Sequence, residues 1–242
     1  MKLNPWLAAI IIGVSTLSAH ATTSSWSYEH PKVKSGEFVI RSACMIPAEG
    51  KLAKNGVKGQ EAMSKQSEEW STNLQNLVEA HLKSAAVEVV PAIGTGAGGA
   101  SDDEIRQIVL QIEQKYDDIS SKLNRKPKDI GKSRFTLGDQ IALLPCAAKS
   151  DVLVFVEGEG QVLTGGKKTM GLLFGGSAAS GATLILTMAD AKTGEIILFV
   201  RLENASSTGQ QFMDDLEKAY GKALDKQFTK MKVGQNLEKK DH

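Results

Sequence analysis

Two glutamates that follow a continuous apolar run are the first candidates for chemistry. Glu157 and Glu159 end the run that begins at Asp151, and positions two apart on a strand share a face. Their carboxylates could hold a cation together. Calcium takes about 6–8 oxygen ligands, which two carboxylates from one strand edge do not supply. We therefore predict a solvated strand end at this position and no metal site.

The two cysteines, Cys44 and Cys146, allow a single pairing within the chain. Cys44 falls in a predicted strand, and Cys146 lies just before the apolar run at Asp151. In an oxidising compartment they would form a structural disulfide. The alternative is that they are two small buried hydrophobic residues. They have no ligand spacing with the histidines that would support a zinc site.

The sequence contains no complete motif for nucleophilic catalysis or for phosphate binding. The G-x-S-x-G elbow of many hydrolases is absent. His81 lies on a predicted helical stripe, and we interpret it as a core-edge histidine with satisfied polar atoms. Residues 94–99 and 164–168 lack the G-x-x-x-x-G-K-[ST] spacing of a phosphate loop. We expect no catalytic residues and no cofactor; a hydrolase of unrecognised type is an alternative.

A glycine-rich segment between two predicted strands carries four apolar side chains. These candidate interaction residues are Met170, Leu172, Leu173 and Phe174. Exposed apolar side chains at a hairpin tip suggest contact with another molecule, whereas the surrounding glycines make ordering the segment costly. The loop either folds back on the domain or contacts a partner or a membrane surface.

The first 21 residues have the pattern of a secretion signal peptide. Lys2 precedes the apolar core Trp6–Leu17, and Ala19–Ala21 has the small-x-small form of a cleavage site. The core is too short for a membrane span of about 20 residues. We expect a periplasmic or secreted protein that begins near Thr22 and has no lipidation cysteine. With 29 Lys and Arg against 28 Asp and Glu, the chain has no net field that would attract nucleic acid.

Three apolar runs rich in β-branched residues predict the central strands. They are Asp151–Glu157, Ala182–Ala189 and Glu195–Leu202. Between the last two lies a five-residue hairpin turn, Asp190–Gly194, in which Gly194 can take a positive φ. Weaker strands are predicted at Glu37–Pro47 and Ala86–Pro91. Residues 22–36 predict a flexible lead-in and residues 49–59 a loop.

Amphipathic segments supply the helices that cover these strands. Apolar residues at three- and four-residue steps predict helices at Gln60–Ala86 and Gln210–Lys232, and another that starts at a capping box of Ser101 and Glu104. Thr136 and Asp139 suggest a second capping box before a short helix. The fold class is α/β, with α+β as the alternative, built on a mixed sheet of about five strands. We expect one domain at 37–233, with a helical insert at 101–148 and a charged tail at 234–242.

The order of these elements resembles a known envelope domain. The residues that carry the resemblance are Leu74–Pro91, Lys149–Gly158 and Leu184–Leu198, the last around Asp190-Ala-Lys-Thr-Gly-Glu195. They are similar to the α/β domain of curli-type secretion-channel lipoproteins, the Tol-system propeller protein and penicillin-binding-protein activator lipoproteins, which typically have an Asp-x-x-Thr-Gly-Glu hairpin. The resemblance covers about Phe38–Met231 and implies a non-enzymatic envelope protein that acts through contacts. It assigns no functional residues, and the chain departs from it by the missing lipidation cysteine and by the insert.

We therefore expect a non-enzymatic, exported protein of the cell envelope that serves as a binding or assembly module. Its partner would be an envelope protein, and contact with a membrane surface or homo-oligomerisation are further options. The alternative from another class is a membrane-active or pore-associated oligomer that uses the 170–176 loop. That loop is short for a spanning hairpin, which needs about 9–11 residues per strand.

Overall fold

The computed structural model describes residues 22–57, 59–93, 101–132, 135–163, 180–206 and 215–231. Within these residues, eight strands form one mixed sheet with helices on both of its faces. The predicted α/β class is confirmed, although the sheet has more strands than predicted.

The central strand of the sheet pairs with neighbours of both directions. In chain order the strands are β1 (Thr22–Glu29), β2 (Ser42–Met45), β3 (Glu49–Gly56), β4 (Gly59–Ala62), β5 (Glu88–Pro91), β6 (Val152–Leu163), β7 (Ser180–Asp190) and β8 (Ile196–Ser206). The main order across the sheet is β1-β8-β7-β6-β2-β5. β6 pairs antiparallel with β7 on one side, and parallel with β2 and then β3 on the other. β2 and β3 thus occupy one strand position, interrupted at Pro47, which cannot donate to the ladder.

The helices lie on opposite faces of the sheet. They are α1 (Pro31–Ser35), α2 (Ser64–Ser84), α3 (Asp102–Arg125) and α4 (Lys222–Lys230), and a π-helical turn, Glu217–Gly221, precedes α4. α2 and α4 cover one face, whereas α3 and three short 3-10 helices between Pro127 and Lys149 cover the other. In the described part of the chain, no helix combines the length and the hydrophobicity needed to cross a bilayer.

The apolar run of β6 is buried on both faces because helices cover both sides of the sheet. Val152, Val154 and Val156 contact the α2 side, while Leu153 and Phe155 contact the α3 side. Leu153, Phe155, Ile185 and Leu198, which lie in the three apolar runs predicted as central strands, are all buried. This alternation in a continuous apolar run is what a doubly covered strand requires.

One predicted helix cap and one predicted turn form as the sequence indicates. Ser101 Oγ accepts a hydrogen bond from the Glu104 N–H, and the Glu104 carboxylate accepts one from the Ser101 N–H, so the capping box of α3 is confirmed. The turn between β7 and β8 is also confirmed, with Gly194 at φ 71°. At this φ an L-residue is strained, and a Cβ on Gly194 would also lie 2.9 Å from the Gly138 carbonyl oxygen.

Two segments predicted to lack structure belong to the sheet. Residues 22–36 are not a flexible lead-in, because β1 pairs along its whole length with β8 and is followed by α1. Residues 49–59 are not simply a loop, because β3 pairs with the second half of β6 and folds back onto β4. Both segments are polar, and backbone pairing with strands distant in the sequence, rather than hydrophobic patterning, makes them strands.

The boundaries of the other predicted elements shift, and one predicted cap is wrong. The strand predicted at Glu37–Pro47 shortens to β2. Thr136 does not cap a helix: its hydroxyl donates to the Thr193 carbonyl and accepts from the Gly138 N–H. Thr136 also bridges Glu195. Its contacts with the β7–β8 turn replace the predicted cap, and a 3-10 helix, Asp139–Leu143, follows without a side-chain cap.

Candidate binding cleft

An open cleft of about 300 Å³ lies between α3 and the bend that joins β2 to β3. Its apolar walls are Ile46, Pro47, Ala48, Leu110, Tyr116, Phe155 and Val156, and Gln114 adds an amide. Leu110 is 49% exposed at the mouth. All four charged residues that line the cleft among the described residues are acidic: Glu49, Glu113, Asp117 and Glu157.

The register of the sheet and the period of α3 bring these carboxylates together. Glu49 of β3 is the direct neighbour of Glu157 of β6, so both side chains project toward α3. On α3, Glu113 and Asp117 are four residues apart and therefore lie on one helix face. Carboxylate oxygens of Glu49, Asp117 and Glu157 all lie within 4.8 Å of one another.

The carboxylate of Glu157 is fixed from the α3 side. Its Oε2 accepts hydrogen bonds from the Tyr116 hydroxyl at 2.7 Å and from Ser120 Oγ at 2.8 Å. The Thr187 hydroxyl lies 2.9 Å from the same Tyr116 oxygen, and it can donate because Tyr116 gives its own proton to Glu157. The Tyr116 ring stacks on Phe155 with centroids 4.2 Å apart.

These contacts correct the prediction of a solvated strand end. Glu157 is held against α3 by two hydroxyl groups, whereas Glu159 is exposed. The two glutamates share a strand face, as predicted, but α3 covers only one of them. Glu157 therefore belongs to a pre-organised polar network, and Glu159 does not take part in it.

Three carboxyl groups of the cleft, those of Glu113, Asp117 and Glu157, have pKa values above their usual range. Burial raises the pKa of Glu113 to about 6, with the charges of Glu49 and Asp117 acting in the same direction. Burial also raises the pKa of Glu157, against the opposing effect of the hydrogen bonds from Tyr116 and Ser120. Like charges held together in a partly dry site disfavour ionisation. A cation placed among these groups would relieve this repulsion.

A cation already contacts the rim of the cluster. Lys51 Nζ lies 2.8 Å from Glu49 Oε1 in a pair whose side chains are both more than half exposed. Such a pair contributes little to stability, because solvent screens it. Glu49, Asp117 and Glu157 are the residues in the described part of the chain whose geometry could hold a metal ion. Three carboxylates are still fewer ligands than calcium usually takes.

Of the other predicted site residues, the structure describes the two cysteines but not the four apolar residues of the 170–176 loop. Cys44 and Cys146 form a disulfide with a Cα–Cα distance of 5.5 Å, so this prediction is confirmed. A buried disulfide suggests a location outside the cytoplasm. Met170, Leu172, Leu173 and Phe174 lie outside the described residues, and their role in an interaction stays a prediction.

His81 occupies the opposite face of the sheet, where it joins α2 to the C-terminal helical segment. Its Nδ1 lies 2.6 Å from Asp225 Oδ1, and its Nε2 lies 3.0 Å from Glu217 Oε2. The prediction of a buried, satisfied histidine is confirmed. Because both ring nitrogens face carboxylates, the imidazolium form is favoured. Burial by itself would lower the pKa of His81, but the two hydrogen bonds outweigh burial and raise it.

Each carboxylate of the cleft is visible in its own sequence segment. The patterns within single segments do not show that these carboxylates come together. Glu113 and Asp117 flank the buried Tyr116 at helical spacing, which places their carboxyl groups beside the apolar stripe of α3. Glu49 follows Pro47 in a segment predicted as a loop. Its approach to Glu157 depends on the parallel β3–β6 pairing, which no pattern within either strand specifies.

Together the fold and the cleft define a three-layer α/β domain with an acidic, apolar-walled groove beside its central strand. No family model matches the sequence, and no curated protein matches it either. The solved structures that are similar to it include a PelC dodecamer from Paraburkholderia phytofirmans and a variant of that dodecamer. Each has a TM-score of 0.40 over 88% of this chain and all of the PelC chain, at 7% and 6% identity. Similarity at this level assigns neither a family nor a function.

Proposed function

We propose that this protein is an exported, non-enzymatic binding module of the cell envelope whose cleft receives a cationic side chain of a partner protein. The disulfide between Cys44 and Cys146 supports export to an oxidising compartment. The pattern of the first 21 residues and the resemblance to envelope domains are consistent with the same proposal. The cleft supplies the chemistry of the contact.

The observation that carries the proposal is the convergence of four carboxylates in a cleft with apolar walls. The charged side chains of β3, β6 and α3 that line the cleft are all negative, and Lys51 contacts only its rim. A lysine or arginine can lay its aliphatic stem along apolar surface while its charged head meets carboxylates. Pro47, Leu110 and Phe155 supply that surface.

The fixed orientation of Glu157 favours binding of a cation further. Tyr116 and Ser120 both donate to its Oε2, so one carboxylate does not have to be ordered when a ligand arrives. Pre-organisation lowers the entropy that association must overcome. A partner that presents a basic residue next to an apolar one would fit both the charge and the walls of this cleft.

Short blocked peptides test the proposal directly. We would titrate the full-length protein with acetyl-Leu-Lys-Leu-amide and with the uncharged norleucine peptide of the same length, and follow amide chemical shifts. The lysine peptide should bind weakly and shift residues around Asp117, and the norleucine peptide should not. Glu113→Gln with Asp117→Asn should weaken binding about tenfold. Asp118→Asn, the same change on a neighbouring residue of α3 that does not line the cleft, should leave binding unchanged.

The pH dependence and competing ions separate this proposal from its rivals. Binding should weaken as the pH falls through about 6, because Glu113 becomes neutral there. Equal binding of both peptides, or equal effects of the Glu113/Asp117 and Asp118 variants, would contradict the proposal. Displacement of the peptide by millimolar calcium, with calcium binding alone at micromolar concentration, would instead assign the cleft to a divalent cation.

A further inference from the structure

Within the residues that the structure describes, the sheet ends at an unpaired strand edge far from the cleft. β1 forms one edge of the main strand order, and β5 forms the other. β5 has only four residues, includes Pro91 and starts at Glu88, all of which discourage pairing with another chain. β1 has eight residues, is uncharged from Thr22 to Tyr28, and pairs with β8 without a bulge. In the described part of the chain, β1 has none of the features that usually protect a sheet edge.

The register of β1 shows which of its backbone groups face outward. The His30 N–H donates to the Ile197 carbonyl at 2.8 Å, and this pair continues the β1–β8 register. Since bonded pairs alternate in an antiparallel ladder, the even-numbered residues of β1 bond with β8. The amides and carbonyls of Thr23, Ser25 and Ser27 therefore point away from the sheet. Among the described residues, no other strand pairs with β1.

The side chains at the middle of this edge are accessible. Ser24, Ser25 and Trp26 are exposed, and the Trp26 ring is 39% exposed even though the Arg201 guanidinium lies over it at 5.6 Å. A large aromatic side chain at the centre of an open edge is a typical feature of an interface. Glu29, the only charged residue of β1, is at its end and is paired with Lys230.

We propose that β1 pairs antiparallel with β1 of a second copy of this chain, across a two-fold axis at Trp26. This register places Ser25 opposite the second copy's Ser27 as a hydrogen-bonded pair, because both carry outward-facing backbone groups. Trp26 then lies opposite Trp26 of the second copy in a non-hydrogen-bonded pair, the type of pair in which cross-strand side chains lie closest. A second copy of this chain is the favoured partner, because β1 is uncharged from Thr22 to Tyr28 and two copies of it bring no like charges together.

This self-association is independent of the cleft. β1 lies at the far side of β8 and β7 from β6, so a two-fold pair leaves both clefts open and yields a bivalent module. An edge of eight residues buries less area than a standard interface. We therefore expect a dissociation constant in the micromolar range or weaker and a dimer fraction that rises with protein concentration.

Cysteine cross-linking tests the register with a matched control. Both native cysteines are in the disulfide, so an introduced thiol is the free one. Trp26→Cys places two thiols opposite each other with Cα atoms about 4.5–5.5 Å apart, which a disulfide spans. Ser24→Cys, on the same face of β1, leaves its two thiols about 13 Å apart along the strands. Under mild oxidation Trp26→Cys should give a covalent dimer at least about tenfold faster than Ser24→Cys.

A second measurement keeps the proposal testable if Trp26→Cys disturbs the fold. Sedimentation equilibrium of the full-length protein should show a monomer–dimer equilibrium, and Ser25→Pro should raise its dissociation constant about tenfold or more. This change removes an outward-facing N–H and leaves the bonds to β8 in place. A wild-type protein that stays monomeric at millimolar concentration, or equal cross-linking at positions 24 and 26, would overturn the proposal. If the wild type stays monomeric, any strand that pairs with β1 has to come from a different protein.

Discussion

Removal of the disulfide between Cys44 and Cys146 is expected to destabilise the domain strongly. The bond connects β2 to the segment that leads into β6 across 102 residues of chain, a loop that contains β3, β4, α2, β5 and α3. Both cysteines are buried in the apolar cluster on the α3 side. We would replace both with alanine, because alanine introduces no polar group into this cluster.

The expected loss follows mainly from the length of the closed loop. The chain-entropy relation gives about 4.7 kcal/mol for a loop of roughly 100 residues, as an upper estimate of the effect on the unfolded state. Removing the two sulfur atoms adds a packing loss of about 1 kcal/mol for each site. Measured losses of native disulfides are usually smaller than such sums, typically about 2–5 kcal/mol. We expect the free energy of unfolding to fall by about 3–5 kcal/mol.

Urea denaturation of three forms separates the two contributions. The oxidised wild type, the reduced wild type and the double alanine variant would be compared by circular dichroism, with the slope of each transition recorded. Reduction keeps the sulfur atoms but opens the loop, so reduced wild type should account for most of the loss. A total loss below about 1 kcal/mol, or a reduced wild type as stable as the oxidised form, would refute the entropic reasoning.

Two further predictions concern residues on opposite faces of the sheet. Phe155→Ala should lower the free energy of unfolding by about 3–5 kcal/mol, because the ring is buried and stacked on Tyr116. Leu143→Ala, at a side chain that is 59% exposed, is the matched control, and similar losses for both variants in urea melts would show that β6 is not central. For His81 the folded-state pKa is raised, so its stabilising contribution is complete below the unfolded-state value of about 6.5 and is lost as the pH rises through the folded-state pKa. As the pH rises from 6 to 9, the wild type should therefore lose stability relative to His81→Gln. Curves of unfolding free energy against pH that run parallel for the two proteins would contradict this assignment.

Parts of the fold that depend on neighbouring residues could be predicted from the sequence. The capping box of Ser101 and Glu104 needs only two side chains three residues apart. The turn that ends at Gly194 needs a residue able to take positive φ between two apolar runs. The burial of Leu153 and Phe155 follows from a continuous β-branched run, which is stable as a strand when both faces are covered.

The edges of the sheet could not be predicted in this way. β1 is rich in serine and threonine and has no alternating apolar pattern, yet it is a strand because β8 offers it a complete ladder. β3 and β4 are similarly polar, and they form because the second half of β6 has an open side. In each case the free energy comes from pairing with a segment distant in the sequence, to which local propensity contributes little.

The sequence by itself determined the class of the fold, its central strands and its buried helix stripes, because periodic hydrophobic patterns specify which faces must leave water. Only the tertiary structure decided which residues form the proposed binding cleft. Glu49, Asp117 and Glu157 come from a strand, a helix and a second strand, and each is an ordinary surface carboxylate in its own segment. The parallel β3–β6 register and the packing of α3 against the sheet bring them into one cleft. Their shared electrostatics arise from distance and burial, which exist only after those long-range contacts have formed.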